Sequence, residues 1–260
     1  MLEHFFHSRL ALGLAESAVT FAVALLVMLL ARQRAAGLLK DLPLAMLRGM
    51  VQIVIVGAVL AIMLHGRQWT SVLALIAMML AASSIVRRRV RKIPGSFSLA
   101  LISICAGAGT ILAIMVSVGV IPWTISMLVP VGSMVIANTM NTQSLFLERL
   151  HGEVIAHTGE IESALALGAA PETALLPYLR AAFRACLIPS VDNIRSLGIV
   201  WIPGIMAGMV LSGEPPLFAA FYQFVVLTMI FSSSALACLV ASQQVPQRIF
   251  STQQQLLLRG

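Results

Sequence analysis

The sequence predicts an all-α membrane protein, a polytopic bundle of about seven transmembrane helices. Hydrophobic residues make up 59% of the 260 residues and charged residues only 10%, whereas a soluble domain has roughly a quarter charged residues. The mean hydropathy is +0.96. The apolar runs are about 20 residues long, which is the length of a transmembrane helix rather than of a membrane β-strand.

Seven apolar runs define the predicted spans. They are residues 10–31, 43–64, 69–86, 97–120, 124–147, 187–211 and 217–241. Backbone polar groups find no water in hydrocarbon, so each run is expected to be helical. Pro130 in the fifth run and Pro203-Gly204 in the sixth are expected to kink their helices. The glycine pair Gly204-x-x-x-Gly208 offers a surface for close approach of another helix, either within the chain or across a dimer.

The basic residues predict the orientation of the spans. Thirteen of the 17 arginine and lysine residues lie in the first, third and fifth loops and the tail, whereas Arg9 and Arg67 lie on the other side. By the positive-inside rule the first group is cytoplasmic, with the N-terminus outside and the C-terminus inside. The densest cluster follows the third run: Arg87, Arg88, Arg89, Arg91 and Lys92.

The net charge of +7 does not indicate a nucleic-acid partner, because the basic residues lie in short loops between spans. The spans are instead expected to be in contact with membrane lipid. Cys105, Cys186 and Cys238 are far apart in the sequence and have no CxxC or zinc-site spacing, so they are expected to be packing residues.

The polar interval 148–185 is predicted to be a cytoplasmic coupling segment within a single permease domain of residues 1–260. Residues 142–167 can continue as a helix beyond the membrane. Gly168 is typical of a helix C-terminus, and Pro171 is typical of the first turn of a new helix. An ordinary helix–turn–helix connection without a special role explains the same residues.

The stretch Glu162-Ser-Ala-Leu-Ala-Leu-Gly168 resembles the EAA loop of ABC-transporter permeases, which docks in a groove of the ATP-binding subunit. Ser163 stands where that loop has alanine. The resemblance implies that five residues couple the chain to an ATPase: Glu162, Ala164, Gly168, Ala169 and Pro171.

Several further motifs resemble one family in order and spacing. They are residues 128–138 (LVPVGSMVIAN), 167–171 (LGAAP), 180–184 (RAAFR), 188–192 (IPSVD) and 197–208 (LGIVWIPGIMAG). From about residue 42 to 245 the chain is similar to the FetB/YbbM-like permeases, the membrane half of a bacterial iron-exporting ABC transporter, related to plant aluminium-tolerance permeases. This implies an efflux permease of the bacterial inner membrane that works as a homodimer with two ATPases.

The sequence assigns ATP hydrolysis to another chain. It contains no Gly-x-x-x-x-Gly-Lys-Ser/Thr motif, and its only lysines are Lys40 and Lys92, so it has no P-loop to bind ATP phosphates. The chain is therefore expected to be a transport subunit and not an enzyme. It is expected to bind no cofactor itself, whereas the partner subunit would use ATP and Mg²⁺.

Three sets of polar residues are candidates for the transport path or a metal site. Met134, Asn138 and Asn141 share a face of the fifth span, where hydrogen bonds between helices are the simpler explanation. Asp192 and Arg195 lie three apart on the sixth span, as a structural ion pair or a cation-attracting gate. The segment also places Glu153, His157 and Glu160 on one face, which is either a weak iron site or only a solvated surface.

The function expected from these features is export of iron or a related metal cation by an ABC-type permease. Residue chemistry permits a cation, whereas iron follows from the resemblance alone. The alternatives are an ion-driven secondary carrier, an ABC permease for an organic solute, and a membrane scaffold that only anchors a cytosolic protein.

The predicted orientation is testable with reporter fusions. A reporter at Gly66 is expected to be extracytoplasmic, because the loop that contains it has a single basic residue. A reporter fused after the seventh run is the control and is expected in the cytoplasm. A cytoplasmic reporter at Gly66 contradicts the orientation.

Overall fold

The computed structural model describes residues 9–30, 38–91, 93–251 and 255–257, which include no named β-strand. The all-α prediction is confirmed. The chain forms two compact units, Met1–Gly66 and Arg67–Gly260. Lys92 of the basic cluster lies outside the described residues. The single-domain organisation stays a prediction.

The first unit is a pair of helices, α1 (Arg9–Leu30) and α2 (Leu38–Met63), which contact each other. An apolar groove between them is lined by residues that include Phe21, Met46 and Met50. Most side chains of α2 after Pro43 are exposed and apolar, as expected of a helix that faces lipid.

The second unit contains the remaining described helices. They are α3 (Trp69–Arg89), α4 (Ser96–Ile104), a π-helical turn (Cys105–Gly109), α5 (Thr110–Ser117), α6 (Ile125–Ala156), α7 (Thr158–Ala166), α8 (Pro171–Ser196), α9 (Gly204–Leu211), α10 (Pro216–Gln244) and α11 (Pro246–Ile249). The long helix α6 packs against α3, α8 and α10. Its fully buried Phe146 and Leu147 belong to the core of this unit.

The number of spans differs from the prediction. Five described helices are long and apolar enough to cross a membrane: Leu42–Met63, Trp69–Arg89, Ser96–Ser117, Pro171–Ser196 and Pro216–Gln244. Gly13–Val27 is a shorter apolar helix. The predicted fifth span lies in α6, which is not among the five; Asn138, Asn141 and Gln143 lower its hydropathy. The chain is therefore a multi-pass helical bundle, but the seven-span count is not reproduced.

The predicted sixth span is wrong as a single helix. The helix α8 ends at Ser196, and α9 begins only at Gly204. Gly198 has a φ of 74°, and Pro203 is the extended N-cap of α9 (φ −66°, ψ 150°). The left-handed φ of Gly198 and the extended ψ of Pro203 are both incompatible with a helix, so residues 197–203 form a break where a kink at Pro203-Gly204 was predicted.

The Gly204 and Gly208 positions face open space. A Cβ atom built on either glycine has no neighbouring atom within 4 Å. The close helix approach predicted for this pair is therefore not made by the described residues of this chain.

The predicted continuous helix 142–167 is also interrupted. The helix α6 ends at Ala156, and His157 adopts non-helical angles (φ −118°, ψ 27°) before α7 begins. The Nδ1 atom of His157 lies 3.0 Å from the carbonyl oxygen of Glu153. Ser, Thr, Asn and Asp are the usual residues for such contacts, and here a histidine side chain approaches the carbonyl of the preceding turn at the residue that separates α6 from α7.

The π-helical turn brings the α4–α5 run into close contact with α10. A Cβ atom on Gly107 would lie 2.7 Å from the Cβ of Ala237 and 2.9 Å from its backbone nitrogen, and it would also collide with the carbonyl oxygen of Ser233. Gly107 is therefore required because two backbones approach too closely for a side chain. At Gly109 the nearest atom to such a Cβ is the flexible methyl of Met79, at 3.8 Å.

We expect G107A to destabilise the fold and G109A to leave it nearly unchanged. The added methyl at position 107 meets backbone atoms that cannot rotate away, and overpacking of this kind costs about 1–3 kcal/mol. Thermal unfolding of the detergent-purified variants measures the difference. Equal midpoints for the two variants would contradict the close packing of Gly107 on α10.

Candidate functional site

The corner between α7 and α8 is a well-defined helix stop and restart. The N–H of Gly168 donates to the carbonyl oxygen of Leu165 (2.9 Å), and the N–H of Ala169 donates to that of Ala164 (3.0 Å). Gly168 has a φ of 90°. These are the two hydrogen bonds and the left-handed residue of a Schellman motif. The predicted helix end at Gly168 is confirmed.

The new helix begins at Pro171, as predicted. Ala170 is the extended N-cap (φ −65°, ψ 145°), and Pro171 occupies the first helical position, where the missing N–H has no cost. Glu172 lies in the first turn of α8, where a carboxylate interacts favourably with the helix dipole.

The corner presents an apolar side chain to its surroundings. Leu167 is 89% exposed, and Glu162 and Gly168 beside it are also exposed, whereas Ala164, Ala169 and Pro171 are half-buried. Within this chain the described residues give Leu167 almost no packing. Leu167 is therefore accessible to a partner, although a single exposed leucine is not by itself evidence of one.

Side-chain contacts attach α7, the helix before the corner, to α8, the helix after it. The Tyr178 hydroxyl donates to Oε2 of Glu160 (2.8 Å), and the Tyr178 ring stacks on His157 with ring centroids 4.9 Å apart. Ile161 on the inner face of α7 is buried. The two helices therefore form one structural piece, and α8 in turn packs against α6 and α10.

The predicted metal-binding face is not formed. His157 lies at the break between α6 and α7, with its Nδ1 3.7 Å from Oε2 of Glu153, whereas Glu160 bonds to Tyr178. Among the described residues there is no group of three or more His, Cys, Asp or Glu side chains that could hold a metal ion. The helix break explains the difference, since the predicted face needs one continuous helix.

The predicted path residues on α6 are only partly in the interior. Asn138 is half-buried, and its Nδ2 donates to the carbonyl oxygen of Met134 on its own helix (2.8 Å). Met134 packs against the core, and Asn141 is exposed. A substrate role for this face stays a prediction.

The sequence analysis missed a set of buried polar residues on α6 and α10, which we term the buried polar layer. Thr139 donates through Oγ1 to the Ser233 Oγ on α10 (3.0 Å), and both residues are fully buried. Gln143 and Ser144 on α6 and Ser234 on α10 are also buried, and their polar side-chain atoms have no hydrogen-bond partner among the described residues. In the sequence, Thr139 and Gln143 lie at i and i+4 within an apolar run, and this spacing indicates a second polar face on the same helix.

Gln223 supports the broken segment between α8 and α10. Its buried Oε1 accepts a hydrogen bond from the N–H of Met206, the third residue of α9 (3.3 Å). This side chain satisfies one of the first amides of α9, which have no acceptor within the helix. The sequence analysis did not single out this residue.

Asp192 and Arg195 form an exposed ion pair. Oδ1 of Asp192 lies 3.7 Å from Nη1 of Arg195, and the two side chains are 60% and 77% exposed. A pair this open contributes little to stability, at most about 1 kcal/mol. The carboxylate is therefore accessible, and its role as a gate stays a prediction.

The apolar helices define a multi-pass membrane protein. The chain belongs to the UPF0014 family: the profile described as "Uncharacterised protein family (UPF0014)" matches residues 14–250. It is a multi-pass protein of the inner membrane, as predicted.

Three relatives show how widely this family is distributed. The chain is 32% identical to "UPF0014 membrane protein YjkA" of Bacillus subtilis, over 92% of this chain and 96% of that protein. It is 28% identical to "Probable iron export permease protein FetB" of Escherichia coli, over 93% of each chain, and 27% identical to "Protein ALUMINUM SENSITIVE 3" of Arabidopsis thaliana, over 88% and 85%. No solved structure gives a significant match.

Replacing Asp192 with Asn is expected to abolish transport and to leave assembly intact. The change removes the accessible negative charge, whereas the weak ion pair contributes little to folding. Solute efflux from cells that carry the variant measures the effect, and R195Q is the matched control because it breaks the same pair but keeps the carboxylate. Full transport by D192N would contradict the gate.

Proposed function

We propose that this chain is the membrane subunit of an ABC-type efflux transporter that exports iron or a related metal cation, driven by a separate ATP-binding subunit. The observation that carries the proposal is the α7–α8 corner. Its motif resembles the coupling loop of ABC permeases, and the exposed Leu167 lies at its tip. The name of the Escherichia coli relative supports iron as the cargo.

The corner supplies the contact chemistry that an ATPase groove needs. Leu167 is the apolar anchor, with the exposed Glu162 and Glu172 on either side of the turn. Burying a leucine side chain contributes about 1.5–3 kcal/mol. In a transporter with two permease chains and two ATPases, each permease chain would present one such corner to one ATPase.

Movement of the corner would be passed into the membrane by α8. The Tyr178 contacts attach α7 to α8, and α8 packs against α6 and α10. A displacement of the ATPase groove would therefore shift α8 against the two helices that contain the buried polar layer. Switching of that layer between the two sides of the membrane would constitute the transport step.

The buried layer supplies neutral oxygen ligands for the cargo. The Gln143 amide oxygen and the Ser144 and Ser234 hydroxyls have no partner among the described residues. Neutral oxygen ligands suit a divalent cation and hold it weakly, as passage requires. In this structure the layer is closed, since the side chains of Gln143 and Ser234 are fully buried.

The test is to purify the chain with its ATP-binding subunit, reconstitute the complex in liposomes and measure ATP hydrolysis. We expect Fe²⁺ to stimulate hydrolysis. Stimulation by an organic solute but not by Fe²⁺ would refute the metal cargo. Failure of any ATPase to bind the chain would refute the ABC assignment.

The variant L167Q isolates the role of the corner in the same assay. We expect it to weaken association with the ATPase about ten-fold or more, which follows from the lost leucine burial. The matched control is L211Q, because Leu211 at the end of α9 is equally exposed, at 89%. Equal effects of the two variants would show that Leu167 has no special role in docking.

A further inference from the structure

A cavity lies where α3 ends and α4 begins, away from the corner and from the buried polar layer. Its volume is about 580 Å³, and it is lined by Ser84, Arg87, Arg88, Arg91, Ser96 and Phe97. The helix α3 is one of the five of membrane-spanning length. The cavity therefore lies at the end of a span, at the depth of the lipid headgroups.

Three arginines surround this cavity without compensating charge. Arg87, Arg88 and Arg91 are exposed, and none forms an ion pair or side-chain hydrogen bond with another described residue. The positive-inside rule explains basic residues after a span. It does not explain why three of them enclose a common space, where like charges repel each other.

Ser96 contributes a hydroxyl donor to the same space. Its residue is only 6% exposed, and its hydroxyl has no hydrogen-bond partner among the described residues. Ser84, by contrast, donates to the carbonyl oxygen of Leu80 (3.0 Å). The Ser96 hydroxyl is therefore available to donate to a ligand in the cavity.

Ser96 is also the first residue of a long helical run, Ser96–Ser117. Its N-cap is Gly95, with a φ of 65° and no side-chain cap, so the first amides have no acceptor within the helix. Arg248 of α11 donates through Nη1 to the Gly95 carbonyl oxygen (2.7 Å) and to the Ser98 Oγ (2.9 Å). The start of α4 is thus held in place with its positive end beside the arginines.

We propose that this cavity binds a phosphate group, and we assign that group to the headgroup of an anionic phospholipid. Guanidinium groups bind phosphate oxygens in bidentate geometry, and the Ser96 hydroxyl adds a fixed donor. The position at a span end places the cavity beside lipid headgroups, and basic pockets between transmembrane helices bind such groups. This site goes beyond the proposed transport function and does not depend on it.

The test uses the full-length chain, purified and stripped of lipid in neutral detergent. Binding of phosphatidylglycerol, phosphatidylcholine and inorganic phosphate is measured separately by native mass spectrometry and by the shift in unfolding temperature. We expect phosphatidylglycerol to bind and to raise the unfolding temperature more than phosphatidylcholine. Equal effects of the two lipids overturn the proposal. Binding of inorganic phosphate without phosphatidylglycerol binding overturns the lipid assignment.

Arginine variants separate a site from diffuse surface charge. We expect R88Q to weaken phosphatidylglycerol binding about ten-fold, because it removes a charge-assisted hydrogen bond at the cavity. Arg89 is the matched control, since it belongs to the same helix turn and cluster but does not line the cavity. R89Q should retain binding. An equal loss in both variants overturns the proposal. The variant S96A tests the Ser96 hydroxyl, and unchanged affinity for phosphatidylglycerol would overturn its part in the site.

Discussion

The structure depends on the close packing of two neighbouring helical segments against Ser233 of α10. Its carbonyl oxygen lies against Gly107 of the π-helical turn, and its hydroxyl accepts the hydrogen bond from Thr139 of α6. In a membrane the hydrophobic effect does not hold helices together, so close packing and hydrogen bonds between helices do so. Ser233 therefore joins three helical segments by both kinds of contact.

This junction explains how a contact on the surface can affect the interior. The exposed corner is fixed to α8 by the Tyr178 contacts, and α8 packs against both helices of the junction. The polar atoms of Gln143 and Ser234 are closed in and unsatisfied. Unsatisfied buried polar groups make this packing costly. The proposed role as the membrane subunit of an ABC transporter requires a second arrangement of the same helices, because transport switches between two states.

Local chemistry was predictable from the sequence where one residue determines one conformation. Gly168 and Pro171 define the helix stop and restart through a positive φ and a missing N–H, and both predictions hold. The predictions that failed needed long-range information. The break at His157 depends on a side-chain contact and on Tyr178 from the next helix, and the break before Gly204 is supported by Gln223 from α10. Hydropathy treated residues 187–211 as one continuous run, because apolar composition does not report where a helix ends. In the polar interval no residue near His157 is a recognised stop signal such as glycine or proline, apart from Gly152 and Gly159.

The sequence by itself determined the membrane class, the helical fold, the family and the α7–α8 corner, because hydropathy, helix caps and short motifs act locally. Only the tertiary structure decided which polar side chains face one another. It buried Thr139 and Gln143 rather than Asn141, separated Glu160 from a possible metal site, and grouped Arg87, Arg88 and Arg91 around a cavity while leaving Arg89 outside it. The reason is that the face of a helix is chosen by the helices that pack on it, and residues of the same type a few positions apart are equivalent until that packing exists.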